Sequence, residues 1–221
     1  MYWRLTPSLT ATIAAGRAMF LDVVRDRYFA APPESSDALA DWLLGGMPAR
    51  SSATAHNFLV EAGGVDPREA AGTTPVRCEL RMPSSFDAQP LPPARMGPVK
   101  LACLAVTVAR ARRDVAEKPL ARILARRAAP SLFRSTRSAC DRERRLAQFR
   151  TGRPLVPVPR SCLHDCLALL DWLGPARAGT CLVFGVVAYP FAAHSWIQHA
   201  GEVIDDHPES VSRFQPILSF Q

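Results

Sequence analysis

The chain has 221 residues and a mass of 24.1 kDa, room for one medium domain or two small ones. Apolar residues make up 48%, enough buried surface to offset chain entropy, which excludes wholesale disorder and collagen, coiled-coil or mucin-like architectures. The net charge of +7 is concentrated: residues 100–150 carry 14 basic against 4 acidic side chains, while the segments on either side are slightly acidic.

In chain order, the first thirty residues predict three short strands, Trp3 to Leu5, Ala18 to Val24 and Arg27 to Ala30, with Asp26 at a tight turn between the last two. Ser35-Ser36-Asp37 supplies N-cap chemistry for a helix with Leu39, Trp42 and Leu43 on one face and a Gly45-Gly46 stop. Ala55 to Ala62, closed by Gly63-Gly64, predicts a second helix, and Asp66 to Ala71 a short third. Strands followed by helices imply a small α+β module over residues 1–82. Prolines 83, 90, 92, 93 and 98 give residues 83–98 the composition of a linker, so residues 99–221 form a second domain.

That second domain opens as a basic helical stretch, with Leu101, Leu104, Val108 and Val115 on one stripe and arginines on the other. Pro119 starts a further segment with Leu120, Ile123 and Leu124. Pro154, Pro157 and Pro159 mark an extended approach to Ser161, after which Leu163, Cys166, Leu167, Leu170 and Leu173 keep helical spacing up to Gly174-Pro175. Thr180 to Val187 reads as a buried strand, and Ser195 to His199 with Glu202 to Asp205 as a hairpin around Ala200-Gly201.

Several function classes drop out. The longest apolar runs, Val99 to Ala109 and Cys181 to Ala188, fall short of the roughly 18 to 20 residues that cross a bilayer. Charges at Asp22, Arg25, Asp26 and Arg27 interrupt any secretory h-region, so a cytoplasmic protein with no membrane partner is expected. Six cysteines in this length are too sparse for a disulfide scaffold and read as reduced thiols. The basic excess attracts nucleic acid, acidic peptide or phosphate, or is simply a solvated helical face. Without an RNA-binding aromatic signature, finger spacing or phosphate loop, nucleic acid is not an expected partner. Cys162, His164 and Cys166 do not make a metal set, because His164 lies on another helical face and no second ligand pair follows.

Cys162 falls at a helix start, where the positive end of the backbone dipole stabilises thiolate and free N–H groups can hold an oxyanion. His194 begins a strand, and the returning chain carries Asp205-Asp206. Cys, His, Asp in this order is how papain-like and transglutaminase-like enzymes arrange acyl transfer. A strict two-residue turn at Ala200-Gly201 makes paired residues sum to 401 and puts Asp205 on the side of His194. A bulge shifts the sum to 402 and puts Asp206 there, and the arithmetic leaves both open.

The segments around Ser161-Cys162-Leu163, Leu182 to Val186, Pro190 to Trp196 and Gly201 to Pro208 together resemble the lasso-peptide B proteins. These are transglutaminase-like cysteine proteases that remove the leader from a ribosomally made precursor before a cyclase closes the lasso. The resemblance implies Cys162, His194 and Asp206 as catalytic residues, and therefore the bulged register; Gln198 stands where the family commonly has an acidic residue. It also implies an N-terminal winged-helix-like leader-recognition domain, carried by Trp3 to Thr6 and Asp26 to Ala30. There a leader adds as a strand beside the third strand. Tyr28, Phe29 and Trp196 are then the expected substrate contacts, although whichever of Tyr28 and Phe29 points inward packs under the first helix instead. The expected partners are the precursor leader and an asparagine-synthetase-like cyclase; no cofactor is expected. The competing functions are a non-catalytic peptide adaptor and acyl transfer to an amine.

Overall fold

The structure, a computed structural model, describes residues 5–44, 52–63, 94–128 and 138–221. It begins with an antiparallel meander of β1 (Leu9–Ala14), β2 (Arg17–Asp22) and β3 (Arg27–Ala30), in spatial order β1-β2-β3. The strand expected at Trp3 to Leu5 lies, but for Leu5, outside the described residues, and β1 is a strand the sequence reading does not contain. β1 is formed by Leu-Thr-Ala-Thr-Ile-Ala, whose β-branched residues suit a pleated surface. Ala15 and Gly16 both take positive φ (48° and 74°), which closes a two-residue hairpin and pairs Ala14 with Arg17. Ala-Gly is a weak turn signal, which hid the hairpin from the sequence reading. The second strand stops at Asp22, two residues early, because Asp22 Oδ1 accepts the N–H groups of Val24 and Arg25 and turns the chain.

Helix α1 (Pro33–Leu43) starts before the expected Ser-Ser-Asp cap. Pro33 needs no N–H partner in the first turn and has the right φ. Ser36 is instead buried, its Oγ accepting the Ala18 N–H at 3.2 Å and tying helix to sheet. Helix α2 (Ala53–Glu61) is capped by Ser52, whose side chain accepts from the Ala55 N–H. The Gly45-Gly46 stop, Gly64, the expected helix at 66–71 and most of the proline segment, residues 83–93, lie outside the described residues.

The remainder contains α3 (Pro98–Glu117), α4 (Leu120–Arg127), α5 (Ser138–Gly152) and α6 (Cys162–Leu173), then β4 (Thr180–Val187), β5 (Ala192–His199), β6 (Glu202–Val203), α7 (Pro208–Ser212) and β7 (Gln215–Phe220). The four strands form an antiparallel sheet of order β6-β5-β4-β7. β7 was not expected, since Pro216 lies within it; it is tolerated on an edge strand where the register shifts beside Gly185.

Both faces of β4 are buried. Leu182, Phe184 and Val186 join Leu167, Leu169 and Leu173 of α6 and Leu104 and Val108 of α3 in the central core. Cys181 and Val183 face the opposite side with Trp196, Val203, Val211 and Phe214. The N-terminal sheet is two-sided as well. Leu9, Ala11, Ala18 and Phe20 pack under α1 and α2, while Ala14, Met19 and Leu21 join the central core. The Ala121 N–H donates to the Val23 carbonyl at 2.8 Å, and β1 lies against β7. The N-terminal sheet is thus docked on the rest of the chain through a shared core.

Gly185 has no side chain because Trp196 occupies the place of one. A Cβ there would stand 2.6 Å from the indole Cζ3 and 2.9 Å from the Cβ of Phe214, both inside contact distance. Gly185→Ala is expected to lower unfolding free energy by about 1–3 kcal/mol, measured by urea denaturation with an unchanged slope.

Candidate active site

Helix α6 begins where it does because the chain before it is held extended. Ser161 sits at φ −150° and ψ 138°, so Cys162 is the first helical residue and its N–H is one of the free groups of the first turn. Asp165, one residue short of a full turn later, accepts from Arg153 Nε at 2.7 Å and Arg160 Nε at 3.2 Å. Arg153 is buried (2% exposed) and also donates to the Pro159 carbonyl at 3.2 Å. Two arginines and a carboxylate therefore clamp the approach segment to the helix start, with the negative charge placed where the dipole favours it.

His194 lies on β5 opposite Gly185. Its imidazole is backed by two rings, Trp196 at 6.2 Å between centroids and 23° between planes, and Phe214 at 5.1 Å. His194 Nε2 meets Asp206 Oδ2 at 2.6 Å, and Asp206 Oδ1 accepts the His207 N–H at 2.7 Å. With the carboxylate on Nε2, that nitrogen carries the proton and Nδ1 is left to accept from the thiol.

The way Asp206 reaches His194 differs from both routes read in the sequence. Ala200 and Gly201, at φ 51° and 87°, make the strict two-residue turn, and the pairs Gln198–Val203 and His199–Glu202 sum to 401. The bulged register implied by the family resemblance is not present. β6 instead ends after two residues, because the side chain of Asp205 takes over the ladder: Oδ1 accepts the Ile197 N–H at 2.7 Å, while the Ile204 N–H still donates to the Ile197 carbonyl at 2.9 Å. The backbone leaves the sheet at that point and carries Asp206 to the imidazole. Asp205 Oδ2 accepts from the buried Cys166 thiol at 3.1 Å.

The electrostatics match this geometry. Hydrogen bonding from His194 brings the Cys162 thiol down to about 7 against the opposing effect of burial, with further help from Ser195. Its hydrogen-bonding with Cys162 raises the His194 pKa, and Asp206 adds to the rise while burial opposes it. Burial pushes the Cys166 thiol up, and pushes the Asp205 carboxyl up to about 6 in spite of its hydrogen bonds from Ile197 and Cys166. The two cysteines one turn apart on α6 are therefore chemically distinct, one ionisable near neutrality and the other locked as a thiol. Cys162, His194, Ser195, Asp205 and Asp206 line one open cleft of about 250 Å³, with Arg160 at its lip.

Of the expected substrate contacts, Tyr28 alone faces this region. Its ring lies 5.9 Å from that of Phe191, in the turn leading into His194, and its hydroxyl pKa is pushed up by burial first and then by the charges of Asp26 and Cys162. Phe29 points the other way, stacking on Phe20 at 5.3 Å and against Phe58 at 5.9 Å, so its side chain belongs to the N-terminal core. Trp196 is fully buried and meets no solvent; it backs His194 and does not line the cleft. Gln198 is buried in the sheet. The sequence reading missed Ser195, the Asp205–Cys166 contact, the Arg153–Asp165–Arg160 clamp and the exposed aromatics Tyr189 and Phe191, the second of which meets Tyr28. A buried arginine paired twelve residues away leaves no periodic signal, whereas two aromatics flanking Pro190 do.

A thiol at a helix start, with a sheet-borne imidazole oriented by a carboxylate, defines a protein of the papain and transglutaminase architecture. The family model described as the transglutaminase-like superfamily matches residues 100–219, and the chain belongs to that superfamily, whose fold supports cysteine-protease or acyl-transfer chemistry. No curated protein and no solved structure matches the chain.

Alkylation of Cys162 by iodoacetamide, followed by peptide mapping, should rise with an apparent pKa of about 7 and lose that profile in His194→Ala. Thiolate is present above that value and lost as pH falls through it. Asp205→Ala should move the profile towards the free-thiol value of about 8.5, while Asp205→Asn, which keeps an Oδ1 acceptor for Ile197, should largely retain it.

Proposed function

We propose that the protein is a cysteine endopeptidase of the lasso-peptide B type, which binds the leader of a ribosomally made precursor and cuts it from the core. Residues 99–221 act as the peptidase and residues 1–82 as the recognition domain, joined by the proline-rich segment 83–98. The observation that carries the reading is the single cleft in which Cys162, His194 and Asp206 converge, with Tyr28 of the N-terminal sheet reaching towards it.

In this mechanism His194 takes the proton of Cys162, and the thiolate attacks the scissile carbonyl. The Cys162 N–H, free in the first turn of α6, stabilises the oxyanion. His194 then protonates the leaving amine, water hydrolyses the thioester, and Asp206 keeps the imidazole in the reactive tautomer throughout. Substrate enters along β3, which among the described residues pairs with β2 on one side only and offers its other edge to an added strand. A leader on that edge runs past Tyr28 and Phe191, which is also the direction of Cys162. An asparagine-synthetase-like cyclase takes the freed core.

Cys162→Ala should bind the precursor leader as tightly as the natural chain while losing cleavage by at least about a thousandfold, measured by anisotropy and mass spectrometry. Retained cleavage would sink the nucleophile assignment. Tyr28→Ala should weaken leader binding without altering the alkylation profile of Cys162. Addition of a primary amine separates the hydrolase from a transferase: hydrolysis gives the free acid, transfer gives the amide.

A further inference from the structure

A second cleft, of about 510 Å³, opens on the far end of α6 and is lined by Thr107, Arg110, Arg113, Asp114, Lys118, Arg126, Arg127 and Asp171. Asp171 lies nine residues beyond Cys162, about 14 Å along the helix, so this cleft is separate from the catalytic one. Its floor is a fixed scaffold. Arg127, 7% exposed, holds Asp171 in a bidentate pair at 3.0 and 2.6 Å, reaches Asp114 at 3.3 Å, and donates to the Ile123 carbonyl at 3.4 Å. Lys118 also donates to Asp114.

The two carboxylates in the lining are used up by that scaffold, as are Arg127 and Lys118, while Arg110, Arg113 and Arg126 stay outside it or at its rim. Arg126 reaches Asp114 through one nitrogen at 3.5 Å and is 61% exposed. Arg113 stands 3.7 Å from Glu117 and is 75% exposed. Arg110 makes no ion pair among the described residues. Five cations against two carboxylates leave a surplus of three positive charges in one concavity. Among the described residues no aromatic ring and no large apolar side chain lines it, so none of them would grip a nucleobase or a hydrophobic peptide side chain. Planar guanidinium groups converging from two helices suit an anion that presents several oxygens at short spacing.

We propose that this cleft between α3, α4 and α6 is a binding site for a condensed phosphate, held by Arg110, Arg113 and Arg126 over the Arg127–Asp171 floor. The site takes the phosphate chain either as an inorganic anion or as part of a larger phosphate ester. It stands independently of the peptidase reading, since none of its residues lines the catalytic cleft.

Calorimetric titration of the full chain with sodium tripolyphosphate tests it. A saturable single site is expected, weakened about tenfold by Arg110→Ala and by Arg126→Ala, each exposed and free of core packing. Arg112→Ala, an exposed arginine on the same helix outside the cleft, should leave affinity unchanged, as should Cys162→Ala. ATP binding with the same arginine dependence would identify the ester as a source, and tripolyphosphate alone the inorganic anion. Absence of saturable binding overturns the proposal. So does equal weakening by Arg112→Ala, which would mark bulk attraction to a basic chain, or tighter binding of a glutamate-rich peptide of equal charge through the same arginines.

Discussion

One hydrogen bond decides how the end of the chain is used: the Asp205 carboxylate takes the Ile197 N–H and stops β6 after two residues. Had the ladder continued in its 401 register, Asp205 would have occupied the next strand position and Asp206 would have pointed away from the imidazole. Substituting a side-chain acceptor for a backbone one satisfies the same donor, so the sheet ends without an orphaned N–H. It also frees the next residue to meet His194. The cost is a carboxyl removed from water beside a buried thiol, which shows in its raised pKa. The two adjacent aspartates thus divide the work, one shaping backbone and one orienting the imidazole.

The same economy holds around the helix start. Asp165 favours the dipole and also fastens the extended approach through Arg153 and Arg160, so that the first helical turn and its free N–H groups face the cleft. On the other side of the cleft Gly185 gives room to Trp196, and Trp196 backs His194. The imidazole position therefore depends on a residue with no side chain and on a ring that never sees solvent. The shared core joining Met19 and Leu21 to α3 and α6 places Tyr28 on the same side as the cleft, which couples the N-terminal sheet to the site by packing and not by a tether.

Much of this was legible in the residues themselves. The α6 helix from Cys162, the buried strand Thr180–Val187, the third strand Arg27–Ala30 and the place of a turn at Ala200-Gly201, though not its register, all follow from local periodicity and turn chemistry. The strand Leu9–Ala14 was overlooked because its hairpin uses Ala-Gly, and β7 because Pro216 argues against a strand wherever both edges must pair. Phe29 and Trp196 are expected as substrate contacts from the family resemblance, through their places on the third strand and beside His194. Their burial comes from partners at Phe20, Phe58, Gly185 and Phe214 that no local pattern connects to them.

By itself the sequence determined the chemistry on offer: a thiol placed at a helix start, an imidazole on a following strand, two consecutive carboxylates after a tight turn, and a strongly basic middle segment. Local backbone preferences set such features, and they act over a few residues. Only the tertiary structure decided which carboxylate meets the imidazole, which aromatics face the cleft, and that five cations from separate turns gather with two carboxylates in one concavity. Those outcomes depend on side chains far apart in the chain competing for the same donors and the same space, and that competition is resolved only when the core closes.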